Sequence, residues 1–300
     1  MMTLTQLQVL VAAAKAGSFT RAAEEIGFTQ SAVSQMIQAL EKELGVCLFL
    51  RSRSGITPTS IGERMLQHAR DILTITACMT EEANLARGLA SGTLRIASIP
   101  SVASRFLPGL LGSFRKRFPA VEIMLLEGDS DEIDKWMSSS VVDIAFTAIP
   151  GRELQTMPLL LDEMMVILPD THPLKDRATL RFDEIADRCF IMPKDGCIKK
   201  MLQENAITPA ITFEVREVYT ILTMVQEYIG VTIMPELYMP AVLPKVVAIP
   251  LDPPIRREVV LAVRDWQTIS PLTAEFAVHS QKYVQAMEPF LPDRKAVGEV

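Results

Sequence analysis

The segment from Ala22 to Gly45 constrains the fold more than any other, because two helical patterns of apolar residues meet in it at a glycine. The first pattern has apolar residues at i, i+3, i+4 and i+7, and the second resumes this spacing after Gly27-Phe28-Thr29. Two helices joined by a short turn containing glycine are typical of a helix-turn-helix, although an ordinary helical hairpin has the same spacing. The residues concerned are Phe19, Ala22, Ala23 and Ile26, then Val33, Met36, Ile37, Leu40 and Leu44.

The segments around this pair of helices predict a small N-terminal domain. The first residues keep a helical period and lack the basic start of a signal peptide, which indicates a folded helix of a cytoplasmic protein. Thr29 is a suitable N-cap for the second helix of the pair, and Gly45 is a suitable residue to end it. The stretch VCLFLRSRSGITPTS then predicts a short hairpin, or wing, that Pro58 closes.

A long helix follows the wing, since no proline interrupts the sequence from Thr59 to Arg87. Ser60 and Glu63 have the spacing of a capping box at its start. A helix of about 28 residues is roughly 40 Å long, so we interpret it as a connector that dimerises, the alternative being an overlong core helix. Its apolar stripe consists of Ile61, Met65, Ile72, Met79 and Ala83, and Ala90-Ser91-Gly92 is interpreted as a hinge.

Composition limits the function classes that need to be considered. The chain has 300 residues, of which 49% are hydrophobic and 22% charged, and this predicts two or three domains of an ordinary soluble protein. The net charge of −6 argues against a nonspecific polyanion binder, and residues 1–62 hold five cationic against four acidic side chains. With three histidines and no C-x-x-C spacing among Cys47, Cys78, Cys189 and Cys197, a zinc site is not expected and the thiols are expected to be free.

From Thr93 onward the sequence alternates between strand and helix patterns. Such alternation predicts parallel sheets with a ligand cleft at the carboxyl ends of the strands, here in two α/β lobes. The closing helix is expected to return to the first lobe. The predicted strands are 94–99, 121–126, 142–147, 164–168, 190–192, 211–215, 231–234, 246–249 and 258–263, and the predicted helices are 106–118, 131–139, one after Gly196, 218–228 and 271–287.

The chain resembles the LysR-type transcriptional regulators over nearly its whole length. The resemblance rests on GSFTRAAEEIGFTQSAVSQMIQALEKELGVCLFLRS and TPTSIGERML, and later on LRIASIPSVASRFLPGLLGSFRKRFPAVEI, VVDIAF and GVTIMPE. It implies a winged helix-turn-helix head, a dimerising linker helix and a two-lobed effector domain like periplasmic binding proteins, with a tetramer in many members. This chain departs from the usual pattern at Ser31, Ser140 and Tyr228, where a proline, a glycine and a small residue are common.

These inferences combine into one predicted architecture. An all-α winged helix-turn-helix occupies residues 1–58, a linker and dimerisation helix residues 59–90, and an α/β effector-binding domain residues 91–300. Lobe I is expected at about 91–162 and 268–300, and lobe II at about 163–267.

The outward face of the recognition helix carries the predicted contacts to base edges. Glutamine pairs bidentately with adenine, and serine bonds to several bases. Arginines in the wing are expected to meet phosphate or a minor groove, and threonines to donate to phosphate. The alternative for each is a solvated side chain without a partner. The predicted DNA-binding residues are Thr29, Gln30, Ser31, Ser34, Gln35, Arg51, Arg53 and Thr57.

The strand ends of the two lobes carry the predicted effector contacts. Ile99-Pro100-Ser101-Val102 opens a helix, where backbone N–H groups favour an anion such as a carboxylate. Ser130 opens the next helix, and the resemblance implies that this position binds an effector carboxylate. Thr147 follows a strand near the expected crossover between the lobes, and Cys197 opens a helix in the second lobe. The alternative for Ser101 and Ser130 is capping of their own helices. The predicted effector-binding residues are Pro100, Ser101, Val102, Ser130, Thr147 and Cys197.

The sequence therefore predicts a sequence-specific transcriptional regulator controlled by a small carboxylate. It is not expected to be an enzyme or to need a cofactor or metal, because it has no Ser-His-Asp set, metal set or phosphate loop. One alternative is a redox-sensing regulator acting through Cys197, although no cysteine follows it to resolve a disulfide; another is a transport receptor, which would need an export signal. The expected partners are double-stranded DNA, the effector, further copies in a homodimer or homotetramer, and as a further candidate RNA polymerase, but no membrane.

Overall fold

The computed structural model describes residues 1–52, 55–86, 91–240 and 245–287, and it divides into two compact units. Unit 1 comprises Met1–Gly92 with Ser138–Val141, and unit 2 comprises Thr93–Met137 with Val142–Val300. Within the described ranges, no helix is both long enough and apolar enough to cross a membrane.

Unit 1 is the predicted winged helix-turn-helix followed by the long helix. Gly27 ends the second helix with φ 71°, a left-handed conformation that glycine adopts without strain and that lets the chain turn into the third helix. The wing is an antiparallel hairpin. The elements are α1 (Leu4–Ala16), α2 (Phe19–Ile26), α3 (Gln30–Leu44), β1 (Phe49–Ser52), β2 (Gly55–Pro58) and α4 (Ser60–Ala86).

The core of unit 1 is built from the helical patterns that the sequence shows. Val33, Ile37 and Leu40 of α3 are fully buried, and they pack with α1, α2 and the first turns of α4. The Phe19 ring meets the Phe49 ring edge to face at 5.8 Å, which joins α2 to the wing. The outer face of α3 is left to polar residues.

The start of α4 differs from the predicted capping box. Thr59, rather than Ser60, caps this helix, because its Oγ1 accepts the Gly62 N–H at 2.9 Å. Further along, α4 leaves Ile72, Ile75 and Met79 exposed on one stripe, with Met79 at 69% exposure. At the N-terminal end of α4, Leu66 and Ala69 are buried in the unit 1 core, and Met65 of the predicted stripe packs against it.

Unit 2 contains the two α/β lobes. In the first lobe lie β3 (Gly92–Ser98), α5 (Pro100–Arg105), α6 (Leu107–Arg117), β4 (Val121–Glu127), α7 (Ser130–Ser138) and β5 (Ile144–Thr147). The long strand β6 (Gln155–Pro169) leads to β7 (Phe190–Pro193), α8 (Gly196–Glu204), β8 (Ile211–Val215), α9 (Val218–Gln226), β9 (Thr232–Pro235), a 3₁₀-helix (Glu236–Tyr238) and β10 (Val246–Pro250). Last come β11 (Arg256–Val263) and α10 (Pro271–Met287).

The larger sheet of unit 2 is mixed, whereas the sequence predicted parallel sheets; the smaller sheet is parallel as predicted. The larger sheet has the order β10-β6-β11-β5-β3-β4, with β9 also beside β6, and the smaller sheet pairs β7 with β8. Strands β3 and β5 are parallel, as are β7 and β8. Strand β6 is antiparallel to β9, β10 and β11, and β11 is antiparallel to β5. The chain therefore passes between the lobes on extended strands.

Strand β6 is the main connection between the lobes. Its first part, Gln155–Glu163, pairs with β11, and its second part pairs with β9 and β10 in the second lobe. The predicted strand 164–168 covered only this second part. Helix α10 returns to the first lobe as predicted, because the Phe276 ring packs on Phe114 of α6 at 5.0 Å.

The predicted helix 106–118 is confirmed as α6, which spans Leu107–Arg117. The helix that Ile99-Pro100-Ser101-Val102 opens is a separate short element, α5, because Pro108 has no N–H with which an α-helical ladder could continue from α5 into α6. Ser140 and Tyr228, which depart from the family pattern, both have positive φ, at 53° and 60°. These are conformations that favour glycine, which explains why a small residue suits either position.

Candidate functional site

The first candidate site is the outer face of α3 in unit 1. Gln30, Ser31 and Gln35 are exposed on it, and Ser34 is half-buried. Thr29 Oγ1 accepts the Ala32 N–H at 3.2 Å, so this residue is the N-cap of α3 as predicted. The face therefore presents uncharged donors and acceptors in the N-terminal half of a helix, the part that reads base edges in helix-turn-helix proteins.

The wing lies at one end of unit 1. Arg51 is exposed on β1, and its guanidinium carbon lies 5.0 Å from the centre of the Phe19 ring. Thr57 is exposed on β2, opposite Leu50 in the hairpin register. Arg53 lies outside the described residues. The wing thus carries a cation whose position is limited by an aromatic contact.

The second candidate site is a cavity of about 910 Å³ in unit 2. Residues from the strand ends of both lobes line it, among them Pro100 and Ser130 of the first lobe and Cys197 and Tyr238 of the second. The lining includes five cationic and five acidic residues, which balance in charge: Arg105, Lys194, Lys199, Arg216 and Arg257, and Glu127, Asp129, Asp195, Glu214 and Glu217.

Arg257 is the buried cation of this cavity, with 4% of its surface exposed. Its Nε donates to Asp162 Oδ2 at 2.9 Å, and its Nη2 lies 2.8 Å from the same oxygen. Nη2 also donates to Ser101 Oγ at 2.6 Å. Burial acts to lower the pKa of this guanidinium, but the Asp162 carboxylate raises the pKa above its ordinary value, so Arg257 stays charged.

Asp162 connects this cation to the second lobe. Its Oδ1 accepts the Leu237 N–H at 3.0 Å, at the 3₁₀-helix Glu236–Tyr238. Asp162 is 2% exposed and lies on β6, while Arg257 lies on the neighbouring strand β11. One buried ion pair therefore joins two strands, α5 and the 3₁₀-helix.

Cys197 forms the adjoining wall. Asp195 caps α8 by accepting the Cys197 N–H at 2.9 Å, and it also accepts the Tyr238 hydroxyl at 3.0 Å. Cys197 Sγ lies 4.0 Å from Arg257 Nη1. Burial raises the pKa of this thiol, and the nearby guanidinium only partly opposes the rise, so the thiol is protonated near neutral pH.

The structure brings three of the predicted effector residues to the cavity and buries the others. Pro100, Ser130 and Cys197 line the cavity. Val102 and Thr147 are fully buried, and fully buried Ser101 is bonded to Arg257.

The predicted capping alternatives do not occur. Asp129, rather than Ser130, caps α7, since its Oδ1 accepts the Glu132 N–H at 2.9 Å. Ser101 is the second residue of α5, whose first turn has no side-chain cap.

The predicted convergence of N–H groups at the start of α5 needs correction. Pro100 has no N–H, and the N–H groups of Val102 and Ala103 are already bonded to Ile99 O at 3.1 and 3.0 Å. The polar group that this region directs toward the cavity is instead the guanidinium of Arg257.

Sequence reasoning did not identify Arg257 and Asp162. They lie 95 residues apart on two strands and belong to no short motif. A signal does exist in β11, because Arg257 occupies an inward position of a strand whose later residues are buried. A charged residue at such a position indicates a buried partner.

Comparison with known protein families gives two matches that together cover most of the chain. Residues 4–63 match the family described as "Bacterial regulatory helix-turn-helix protein, lysR family". Residues 87–284 match the family described as "LysR substrate binding domain".

Two curated relatives are similar over most of their length. The "Probable HTH-type transcriptional regulator LrrA" of Synechococcus elongatus is 36% identical over 268 residues, which are 87% of this chain and 90% of that protein. The "Uncharacterized HTH-type transcriptional regulator YvbU" of Bacillus subtilis is 33% identical over 268 residues, covering 87% and 92%.

Solved structures share the fold. A full-length OxyR variant from Pseudomonas aeruginosa superposes with a TM-score of 0.79 at 24% identity, covering 95% of each chain. Full-length CbnR in complex with its target DNA gives a TM-score of 0.63 at 21% identity, covering 94% of this chain and all of that one.

Proposed function

We propose that this chain, which belongs to the LysR family of transcriptional regulators, recognises specific DNA through α3 and the wing under the control of a small organic acid in the unit 2 cavity. The observation that carries the proposal is the exposed, uncharged polar face of α3, on an element of the domain that matches the family's helix-turn-helix. Glutamine amides and serine hydroxyls read base edges, whereas a nonspecific surface depends on cations.

The wing supplies the contacts that position the head. Arg51 and the hydroxyl of Thr57 would bond to phosphate, and phosphate contacts set the register without specifying sequence. Because few cations take part, we expect a shallow dependence of affinity on salt, set by the number of phosphates neutralised.

The exposed stripe of α4 supports dimer formation. Ile72, Ile75 and Met79 are spaced at i, i+3 and i+7, so they form a continuous apolar ridge. A second copy of the helix would cover this ridge and hold two heads at a fixed spacing, as two half-sites require.

The cavity in unit 2 suits a small effector. Its volume of about 910 Å³ lies within the range of small-molecule sites, and it combines apolar walls with a few polar groups. The proposed partners of a carboxylate are Ser130 and the exposed cations at the rim of the cavity, Arg105, Lys194 and Arg216.

Two measurements test this function. A gel shift with DNA upstream of the neighbouring genes should show a complex that resists competition by random DNA. A thermal-shift screen of small carboxylates and aromatic acids should identify the effector, because a ligand at 100 times its Kd adds about 2.7 kcal/mol of stability. Equal affinity for random DNA would refute specific recognition, and a chain stabilised by none of the acids would refute the proposed effector class.

A redox-sensing regulator is the second candidate, and it rests on the distance of 4.0 Å between Cys197 Sγ and Arg257 Nη1. A guanidinium stabilises a thiolate, but burial outweighs it here and raises the pKa of the thiol. Mass spectrometry of peroxide-treated protein separates the candidates. A Cys189–Cys197 disulfide or a stable oxidation product of Cys197 would favour redox sensing, while unmodified Cys197 would remove that candidate.

A further inference from the structure

We infer that the inner end of the unit 2 cavity binds an uncharged oxygen of the effector through Arg257 Nη1, and that the effector is therefore a hydroxy acid or an oxo acid. The inference rests on the proposed function, since it specifies which small acids the cavity accepts. It is carried by the hydrogen bonds and charges around Arg257.

Arg257 lines the cavity, and one N–H edge of its guanidinium has no oxygen partner among the described residues. An arginine side chain carries five N–H donors in a fixed fork. Nε and Nη2 are used by Asp162 and Ser101, at distances of 2.6–2.9 Å. Nη1 instead lies 4.0 Å from Cys197 Sγ, and a thiol is a weak acceptor. An oxygen placed beside Cys197 would give this donor a much stronger partner.

The charges around this edge disfavour an anionic partner. Asp162 already neutralises Arg257, and Asp195 adds a second carboxylate whose charge acts on the same thiol. An effector carboxylate at Nη1 would be the third negative group around one buried cation, and an uncompensated buried charge is costly. A hydroxyl or carbonyl oxygen accepts the same N–H bond without that cost.

The exposed part of the cavity lining has cations that can pair with a carboxylate, and its acidic residues Glu127, Asp129, Glu214 and Glu217 are exposed as well, so water screens their charge. Arg105, Lys194 and Arg216 line the cavity and are exposed, so a carboxylate beside them keeps part of its hydration. Tyr238 lies beside Arg257: its ring is 5.9 Å from the guanidinium carbon, and its hydroxyl donates to Asp195 at 3.0 Å. An effector with a carboxylate at one end and an uncharged oxygen at the other matches both the exposed cations and the Nη1 edge of Arg257.

Matched pairs of acids test the inference with the full-length protein. The probes are malate against succinate, 2-oxoglutarate against glutarate, and lactate against propionate, titrated by calorimetry. In at least one pair, the hydroxy or oxo member should bind at least about tenfold more tightly than its partner. This ratio of affinities corresponds to the free energy of one hydrogen bond to a charged group.

Three variants test whether Arg257 and Cys197 cause the preference for the hydroxy or oxo acid. Arg257→Lys should reduce the preference to about threefold or less, because an ammonium cannot bond to Asp162 and Ser101 and still present a fixed third edge. Cys197→Ser should also reduce it, since the new hydroxyl is a stronger acceptor that competes for Nη1. Arg216→Gln is the matched control: it removes a rim cation and should weaken both members of a pair by the same factor. Circular dichroism confirms that each variant is folded.

The outcomes separate this inference from the function it rests on. Equal binding within every pair, no binding of any hydroxy or oxo acid, or a preference that survives in both Arg257→Lys and Cys197→Ser would overturn the inference. If acids bind without discrimination and still change the gel shift, the proposed function stands and only the inference fails. If acids bind and DNA binding never responds to them, the proposed function fails.

Discussion

Arg257 Nη2 and Ser101 Oγ are 2.6 Å apart, and both side chains are buried. This bond joins β11 to α5. The sequence suggested that Ser101 either contacts the effector or caps its own helix, and this bond is neither of those. The Ser101 hydroxyl does not cap α5. It is bonded to the guanidinium of Arg257, and it is Arg257 that lines the cavity. Ser101 is therefore a positioning residue for Arg257.

Removal of this hydroxyl should affect stability and effector binding together. Ser101→Ala leaves a buried cationic donor without its acceptor, and we expect a loss of about 1.5–3 kcal/mol in unfolding free energy. Effector affinity should also fall, with DNA binding in the absence of effector nearly normal. Urea unfolding and effector titration of the same variant measure both quantities. The matched control is Ser98→Ala, because Ser98 is equally buried but its hydroxyl donates to Ile99 O; unchanged effector affinity in Ser101→Ala would contradict the positioning role.

The Asp162–Arg257 pair should be far more important to stability than an ion pair at the surface. Asp162→Asn removes one partner of a buried pair, which costs about 3–5 kcal/mol because the remaining charge is uncompensated. Asp183→Asn breaks the Arg181–Asp183 pair, where both side chains are about two-thirds exposed, and should cost less than about 1 kcal/mol. Urea unfolding of both variants gives the comparison. Similar losses would show that the buried pair has no special contribution.

The outer face of α3 should determine sequence specificity. Gln35→Ala should weaken binding to the specific site by about 1–3 kcal/mol with little effect on random DNA, because a base contact is lost and phosphate contacts remain. Gln38→Ala is the control, since Gln38 is exposed on the same helix one turn later. Anisotropy titrations on both DNAs measure the effect. An equal loss on both would assign Gln35 a positioning or folding role.

The exposed ridge of α4 should hold a dimer together. The double variant Ile72→Glu, Met79→Glu places charges on that ridge and should give monomers that bind DNA weakly, since two half-sites are no longer linked. Ala77→Glu is the control, because Ala77 is exposed five residues, about 140°, around the helix from Ile72. Sedimentation velocity reports the oligomeric state, and an unchanged oligomer in the double variant would refute this role of the ridge.

Local patterns were sufficient to predict the elements of the fold. Helical spacing on both sides of Gly27 predicted α2 and α3, and a proline-free stretch from Thr59 predicted α4, which begins at Ser60. Residues 87–90 of the predicted linker helix, with Ala90 of the predicted hinge, lie outside the described residues. The order of strands and helices predicted two α/β lobes. Strand direction was wrong for β6 and β11 because a run of apolar residues has the same appearance in a parallel and an antiparallel strand.

The centre of the cavity could not be predicted in the same way. Ser101 was selected for its position at a strand end, and that placed it next to the cavity, but the sequence did not show that its hydroxyl bonds to Arg257. Its partner Arg257 is 156 residues away, and Asp162 lies on a strand whose first part was not predicted. Contacts between distant strands depend on sheet order and register, which a single sequence does not specify.

A footprint of the full-length protein on DNA upstream of its neighbouring genes tests directly whether the protein binds specific sequences. We expect two protected half-sites whose centres lie about 10 base pairs or a multiple of that apart, because two copies of α3 must reach the major groove on one face of the duplex. We also expect that a small organic acid that binds the unit 2 cavity changes the extent or affinity of protection. Uniform protection at every sequence, or a footprint unaffected by an acid that calorimetry shows to be bound, would contradict an effector-controlled, sequence-specific regulator.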